Sequence, residues 1–300
     1  MGVLVASEIR YFHREKNQIM TENVAGESAI RFIYENPLGA FLRKSVLTQK
    51  WVSQVYGYYQ STRASAAAID SFIEKFSIDM SEYESRNFES FNDFFIRSFL
   101  PGKRTFVSDP NILPAFAEGR YFGFEAVHEA QPLPVKNVQI SIDRLLGAEK
   151  HKKEFEGGPV LIARLCPVDY HRFHFPDSGT VSREHLIEGP LESVNPIALS
   201  HDPKILFKNE RQVSILETKN FGRLAYIEVG ALCVGRIVQS YSRFHSFERG
   251  QAKGYFLFGG STVILLGTPG SFKPSDDILA HTREGLETFV KLGDNVAHRV

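Results

Sequence analysis

The chain has 300 residues, enough for one large domain or two ordinary ones with a sizeable core. Its apolar content of 43% and charged content of 23% are those of a folded protein, which excludes a largely disordered chain. Thirty-five basic residues balance thirty-five acidic ones, so we expect no nucleic-acid partner. With neither a run of about 18 uncharged apolar residues nor a signal-peptide core, we expect a cytoplasmic protein or one that lies peripherally on a membrane.

Apolar side chains recur with helical spacing over the first 85 residues. The clearest run covers residues 38–59 and follows Asn36-Pro37, an N-cap with proline at the first helical position. Further helices are predicted over 64–76 and 91–99. The 38–59 helix combines basic residues with interfacial aromatics, namely Arg43, Lys44, Lys50 and Trp51. Such a helix either packs on the core of the protein or lies in the headgroup plane of a bilayer.

After residue 100, short apolar runs alternate with glycine and proline, a pattern typical of strands. The predicted strands are 160–165, 204–207, 212–216, 224–229, 232–238, 255–258 and 263–266. A final helix is predicted over 276–291. The fold class is therefore α+β, with an N-terminal helical region over 1–85 followed by a β-rich, barrel-like or sandwich-like domain over 86–300.

Two histidines follow an aspartate in the segment Asp169-Tyr170-His171-Arg172-Phe173-His174. Three residues apart on a helix, the two histidines could bind a metal. Nearby proline and glycine instead indicate strand and loop, and no zinc motif matches. A histidine that accepts a serine proton is the better interpretation. Cys166 and Cys233 are interpreted as buried free thiols, although a disulfide between them stays open.

Gly259-Gly260-Ser261 is followed by Thr262 and the apolar run 263–266. Two glycines allow a strained turn that exposes the serine. The serine could then attack a substrate as a nucleophile, or it could attack the peptide bond that precedes it. A plain hairpin turn is the alternative. A hydrolase with a G-x-S-x-G elbow is disfavoured because Val263 stands where the second glycine would be.

Several segments together, in one order, resemble the phosphatidylserine decarboxylase family over residues 87–295. They are Phe91–Arg97 with Leu100–Arg104, Leu165–His174, Gly189–Pro196, Leu206–Arg211, Val229–Gly235, and Lys253–Phe256 with Phe258–Thr262.

The resemblance implies a self-cleaving proenzyme without a metal. His174, oriented by a carboxylate, would deprotonate Ser261, which would attack the carbonyl of Gly260. Cleavage between 260 and 261 would give a β chain of 1–260 and an α chain of 261–300 that begins with a pyruvoyl group. The family has aspartate in the orienting position, where this chain has Glu118; Asp109 is the alternative carboxylate.

The resemblance further implies that the pyruvoyl group forms a Schiff base with phosphatidylserine and yields phosphatidylethanolamine and CO₂ in phospholipid biosynthesis. We assign His171 and Lys136 to substrate binding; Lys136 stands where the family has a lysine, and a surface lysine is the alternative. A phospholipid substrate favours membrane docking for the 38–59 helix, on the anionic cytoplasmic face of the cell membrane. The family resemblance also suggests a dimer of the β/α pair.

Two other functions stay open at this point. One is a lipid-binding pseudoenzyme of the same fold that does not mature because glutamate replaces aspartate at position 118. The other is a pyruvoyl decarboxylase for a soluble amino acid, which would leave the aromatic N-terminal helix unexplained.

Overall fold

Nine strands pair into one large sheet in the computed structural model, which describes residues 8–128, 132–133, 138–139, 142–147, 153–232, 236–242, 245–259 and 261–300. Lys136, Cys233 and Gly260 lie outside the described residues. The described elements combine helices with sheets, as the predicted α+β class requires.

The strands and helices have the following bounds. The strands are β1 (Arg10–His13), β2 (Gln18–Thr21), β3 (Ile112–Pro114), β4 (Gly119–Phe124), β5 (Pro132–Leu133), β6 (Val138–Gln139), β7 (Val160–Leu165), β8 (Arg172–His174), β9 (Gly179–Ile187), β10 (Arg211–Thr218), β11 (Gly222–Val229), β12 (Ile237–Gln239), β13 (Ala252–Phe256), β14 (Ser261–Gly267), β15 (Lys273–Pro274), β16 (Glu287–Val290) and β17 (Asn295–His298). The α-helices are α1 (Glu27–Glu35), α2 (Pro37–Leu42), α3 (Lys50–Gln60), α4 (Ile69–Phe76), α5 (Phe91–Phe95), α6 (Ile142–Leu146), α7 (Pro196–His201), α8 (Ile205–Lys208) and α9 (Asp276–Arg283).

The main sheet has the order β2-β1-β16-β4-β7-β14-β11-β10-β9 and is antiparallel except where β1 runs parallel to β16. Because β2 and β9 are its two edges, the sheet is open, and among the described strands there is no closed barrel. A smaller sheet, β12-β13-β8, carries the second histidine of the motif.

The central strand β14 is buried along its whole length. Val263 and Leu265 belong to one hydrophobic cluster, whereas Ile264 and Leu266 belong to another. This alternation places one cluster on each face of the sheet, because successive strand residues point to opposite faces. Ser261, two residues before Val263, shares the face of the first cluster.

The N-terminal region differs from the prediction in two ways. A β-hairpin, β1–β2, precedes the helices and joins the main sheet beside β16. The predicted 38–59 helix is divided into α2 and α3 by a π-helical turn at Arg43–Leu47. Its predicted start is confirmed, since the Asn36 side chain accepts hydrogen bonds from the amides of Leu38 and Gly39.

Two predicted elements in the second half are wrong. The 276–291 helix ends at Arg283 because Gly285, with φ of 71°, terminates it, and the amide of Leu286 bonds back to His281. Residues 287–290 then form β16. The predicted strand 204–207 is instead the single helical turn α8, which follows a turn where Asp202 accepts the Lys204 amide.

Candidate active site

Ser261 is the first residue of β14 and is fully buried, opposite Leu165 at the end of β7. Gly259 has φ of 139°, a conformation that side-chain-bearing residues rarely adopt. The predicted glycine-dependent turn is therefore confirmed at Gly259, whereas the predicted exposure of the serine is wrong, because strands β7 and β11 cover Ser261 on both sides in the middle of the sheet.

The side chain of Ser261 contacts His171. Its Oγ lies 3.3 Å from Nδ1 of His171, and Nε2 of the same ring lies 2.8 Å from the carbonyl oxygen of Cys166. Since a carbonyl only accepts, Nε2 carries the proton and Nδ1 keeps its lone pair for the serine hydroxyl. Burial lowers the pKa of His171 to about 3, so the imidazole is neutral near pH 7.

His174 has different partners. Its Nδ1 lies 2.8 Å from the carbonyl oxygen of Gly250, and its Nε2 lies 3.3 Å from the hydroxyl of Tyr170. Burial also lowers the pKa of this imidazole, to about 4. Of the two histidines in the motif, the structure thus brings His171 into hydrogen-bonding contact with Ser261, whereas the ring of His174 is directed to Tyr170 and Gly250.

Glu118 is directed to an arginine, which differs from its expected place behind His174. Its Oε1 accepts from Nη2 of Arg104 at 2.8 Å, and its Oε2 accepts from the amide of Leu292 at 3.0 Å. The alternative carboxylate, Asp109, caps a turn by accepting the amide of Asn111. Both ring nitrogens of His174 are bonded to other groups, so the predicted Glu118–His174 pair is not formed.

Helix α5 holds the site from one side, a role that sequence reasoning missed. Asn92 accepts the amide of Phe258 at 2.7 Å, just before the glycines. Phe95 stacks on His171 with a centroid distance of 3.8 Å. Arg97, fully buried, donates to the carbonyl oxygens of Val168 and Asp169. The sequence predicts a short aromatic helix over 91–99; the helix ends at Phe95, and only the fold shows that Asn92, Phe95 and Arg97 contact one site.

A cavity of about 550 Å³ adjoins this site. Its wall includes Cys166, Phe258 and Gly259, and it extends between α1 and α4. Most of the lining is apolar, and the exposed Lys75 is among the few charged groups in it. A cavity of this size and character suits part of an apolar ligand with a charged or polar end.

Helices α2 and α3 expose large apolar side chains to solvent. We call this set the apolar face; it consists of Leu38, Phe41, Trp51, Val55, Tyr58 and Tyr59, exposed by 52–77%. Two neighbouring basic residues form ion pairs within the protein: Arg43 is paired with Glu192, and Lys50 lies 2.7 Å from Glu210. None of the helices among the described residues is both long and apolar enough to span a bilayer.

Comparison with known proteins places the chain. A family model described as phosphatidylserine decarboxylase matches residues 91–298. The chain belongs to this family. It is 39% identical over 290 residues to the phosphatidylserine decarboxylase proenzyme of Clostridium botulinum strain Hall, covering 96% of this chain and 98% of that one. It is 40% identical over 293 residues to the proenzyme of Clostridium perfringens strain SM101, covering 97% and 100%.

The decarboxylase family model begins at Phe91, so it includes α5, both histidines and Ser261. The alignments with these relatives cover 96–97% of this chain, so they also include the helices of the apolar face. Within the described residues, no group of three or more histidine, cysteine, aspartate or glutamate side chains is placed to hold a metal ion.

Proposed function

We propose that the chain is a self-processing, pyruvoyl-dependent phosphatidylserine decarboxylase. The observation that carries the proposal is the buried Ser261–His171 contact, two residues after Gly259, whose φ of 139° is a conformation that favours glycine. The proenzyme names of relatives at 39–40% identity support both the substrate and the self-processing.

The proposed cleavage balances without an external oxidant. A histidine takes the proton of Ser261 Oγ, which attacks the carbonyl carbon of Gly260, and the peptide C–N bond is replaced by an ester. Loss of the Cα proton then expels the Gly260 carboxylate and leaves dehydroalanine at 261. Tautomerisation and hydrolysis release ammonia and leave the pyruvoyl group.

The fit of this group to the site rests on the chain's own residues. Once formed, it supplies a ketone that condenses with the substrate amine and accepts the electron pair released as CO₂ leaves. Position 261 is fully buried beside a neutral imidazole and next to the cavity wall at Gly259, so a base is at hand and the group would lie beside the space that a substrate could occupy.

Two assignments of the base follow from different evidence. The contact to Nδ1, with a tautomer set by the Cys166 carbonyl, supports His171. The family resemblance implies His174, which would have to leave Tyr170 or Gly250 to reach Ser261. We propose His171 as the base in the arrangement described and His174 as the rival.

We propose that the cavity takes an acyl chain of phosphatidylserine, with Lys75 near its phosphate. Tyr56 of α3 lines the cavity, so the cavity lies next to the helix that carries much of the apolar face. Contact with a bilayer explains both the exposed apolar face and the adjacent cavity, because a lipid could then pass from the bilayer into the cavity without entering water. The enzyme would lie peripherally on the cytoplasmic face of the membrane.

Ser261→Ala tests the proposal, with Thr262→Val as the matched control. Thr262 is buried on the same strand, and its hydroxyl makes no hydrogen bond within the described residues. We expect Ser261→Ala to stay one uncut chain and to release no CO₂ from phosphatidylserine vesicles, whereas Thr262→Val is cut and active. Decarboxylation by an uncut Ser261→Ala chain would refute the pyruvoyl assignment.

The same assay separates the alternatives. A wild-type chain that stays uncut but sediments with vesicles would be the lipid-binding pseudoenzyme. A cut chain that decarboxylates free serine and ignores vesicles would be an enzyme of soluble amino acids.

A further inference from the structure

The loop before β13, residues 248–251, is tied to His174 through its backbone. The carbonyl oxygen of Gly250 lies 2.8 Å from Nδ1 of His174, and the Gly250 amide donates to the carbonyl of Phe175 at 2.9 Å. The Phe175 amide in turn donates to the carbonyl of Gln251 at 2.9 Å. The loop therefore contacts both the last residue of β8 and the residue that follows it.

This contact decides which nitrogen of His174 carries the proton. Since a carbonyl only accepts, Nδ1 is protonated, and Nε2 of the neutral ring keeps its lone pair. The hydroxyl of Tyr170, 3.3 Å from Nε2, donates to that lone pair. Nε2 is thus the atom that His174 can offer to a reacting proton for as long as the Gly250 carbonyl stays in place.

The side chain of Arg249 fixes this loop. Its Nη2 lies 3.1 Å from Oδ1 of Asp177, and its Nη1 donates to the carbonyls of Val107 and Asp109 at 3.0 and 2.7 Å. Phe106, directly before Val107, packs beside His174 with a ring-centroid distance of 5.5 Å. One guanidinium, with its several N–H donors, thus joins the loop to two segments that border the histidine.

Asp177 is itself held in place. Its Oδ2 accepts the amide of Asn220 at 2.7 Å, and its Oδ1 accepts from Nδ2 of Asn220 at 2.8 Å. Asn220 lies in the turn between β10 and β11, so Asp177 anchors Arg249 to the main sheet. The two side chains are 1% and 13% exposed. Removing either partner of such a pair leaves the other charge poorly compensated.

We propose that Asp177 and Arg249 are positioning residues that hold the Gly250 carbonyl against His174 and so keep the lone pair of this histidine on Nε2. The inference rests on the proposed function, in which His174 transfers a proton either during self-cleavage or during the later decarboxylation. Neither positioning residue is among the site residues that the sequence predicts.

The tautomer is tested on the uncut Ser261→Ala chain labelled with ¹⁵N-histidine. A long-range ¹H–¹⁵N NMR spectrum at pH 7 shows which ring nitrogen is protonated, and adding His174→Gln assigns the signal. We expect Nδ1 to be protonated, and Arg249→Gln to add a form protonated on Nε2. Glu248→Gln is the matched control on the same loop, because glutamine can still accept the Ser178 hydroxyl that Glu248 accepts at 2.8 Å.

The reaction is tested on chains that keep Ser261, made by cell-free translation. Self-cleavage is followed on gels, and CO₂ release from phosphatidylserine vesicles is normalised to the cleaved fraction. We expect Arg249→Gln to slow the step that His174→Ala slows, by roughly tenfold to a hundredfold, as misplaced catalytic groups do. Glu248→Gln should keep both rates.

A second variant guards against loss of the fold. Asp177→Asn removes the carboxylate that holds Arg249, and it should change the His174 tautomer and the same rate. Near-ultraviolet circular dichroism in the Ser261→Ala background reports whether each variant is folded. If neither variant folds, the pair is a structural element and the positioning role is refuted.

The outcomes separate the two proposals. In a folded variant, an unchanged His174 tautomer or unchanged rates of both steps refute the positioning role, and the proposed function stands. If His174→Ala slows neither step, the inference fails in the same way. If the wild-type chain never cleaves, the proposed function fails, and the NMR spectra alone decide whether Asp177 and Arg249 set the tautomer.

Discussion

At the scale of single residues, the two histidines of one motif are distinguished by the carbonyl that each one meets. Cys166 accepts from Nε2 of His171, and Gly250 accepts from Nδ1 of His174. The remaining lone pair faces Ser261 in the first case and Tyr170 in the second. Spacing along the sequence cannot distinguish these arrangements, because Ser261 is 90 residues from His171 and Gly250 is 76 residues from His174.

Exchanging each histidine separately decides which one is the base. We expect His171→Ala to slow self-cleavage by about 10²–10⁴-fold, the usual contribution of a general base. His174→Ala should still yield two fragments, with any defect appearing later, in decarboxylation. Gel analysis of both purified variants checks this. Normal cleavage of His171→Ala with an uncut His174→Ala would assign the base to His174.

The buried histidines also predict acid sensitivity of the fold. Their folded pKa values, about 3 for His171 and about 4 for His174, lie below the ordinary 6.5, so the unfolded chain binds protons first. Neither histidine therefore changes the free energy of unfolding with pH above 6.5. Below pH 6.5, each one lowers the free energy of unfolding by about 1.4 kcal/mol per pH unit. Asp169, with its pKa raised by burial to about 6, partly offsets this loss below pH 6.

Urea unfolding of the Ser261→Ala chain at pH 7, 6 and 5 measures this slope on one uncut polypeptide. Adding His174→Gln should remove about 1.4 kcal/mol per pH unit from it. An unchanged slope would mean that His174 is not a buried neutral group.

At the scale of elements, α5 is the point where the N-terminal helices meet the site. Asn92 accepts the Phe258 amide and donates to the Gly57 carbonyl and the Ser61 hydroxyl of the α3 region. One side chain thus joins the segment before the proposed cleavage point to helix α3, which carries much of the apolar face.

Asn92→Leu should leave the partly buried amide of Phe258 unpaired, whereas the Gly57 carbonyl keeps the Ser61 hydroxyl as a donor. An unpaired buried amide costs about 1–3 kcal/mol, so we expect lower thermal stability and slower cleavage. Asp93→Asn is the control on the same helix. It removes a partly exposed ion pair between Asp93 and Arg86, and it should change the free energy of unfolding by less than about 1 kcal/mol. Equal melting temperatures and cleavage rates for Asn92→Leu and wild type would contradict this role.

The elements also show how far sequence patterns reach. Glycine, the Asn36 cap and the apolar run of β14 act locally, and their predictions are confirmed. The run after Gly285 has the same apolar spacing as a helix, yet it pairs with β4 and β1 as β16, because the sheet offers it partners. The Ser261–His171 contact joins positions 90 residues apart, and Glu118 meets Arg104, so neither could be derived from local spacing.

At the scale of the whole molecule, the apolar face and the cavity lie along one set of N-terminal helices. Trp51 is 59% exposed and Tyr58 77% exposed on α3, and Tyr56 of the same helix lines the cavity. A protein that takes its substrate from a bilayer would need this combination of a docking surface beside a ligand cavity.

Replacing Trp51 and Tyr58 by glutamate should weaken membrane docking, because two charges would enter the apolar interface. We expect less co-sedimentation with phosphatidylserine vesicles and a raised KM, with self-cleavage unchanged. Ile19→Glu on the edge strand β2, at 54% exposure, is the matched control and should bind vesicles normally. Equal vesicle binding by the wild type, the double glutamate variant and Ile19→Glu would exclude the apolar face as the membrane contact.

Intact mass spectrometry of the purified wild-type protein tests the central claim most directly. The account predicts two fragments, residues 1–260 and a 40-residue piece from 261–300 that begins with a pyruvoyl group in place of Ser261. A single 300-residue chain, still uncut after incubation with phosphatidylserine vesicles, would contradict it.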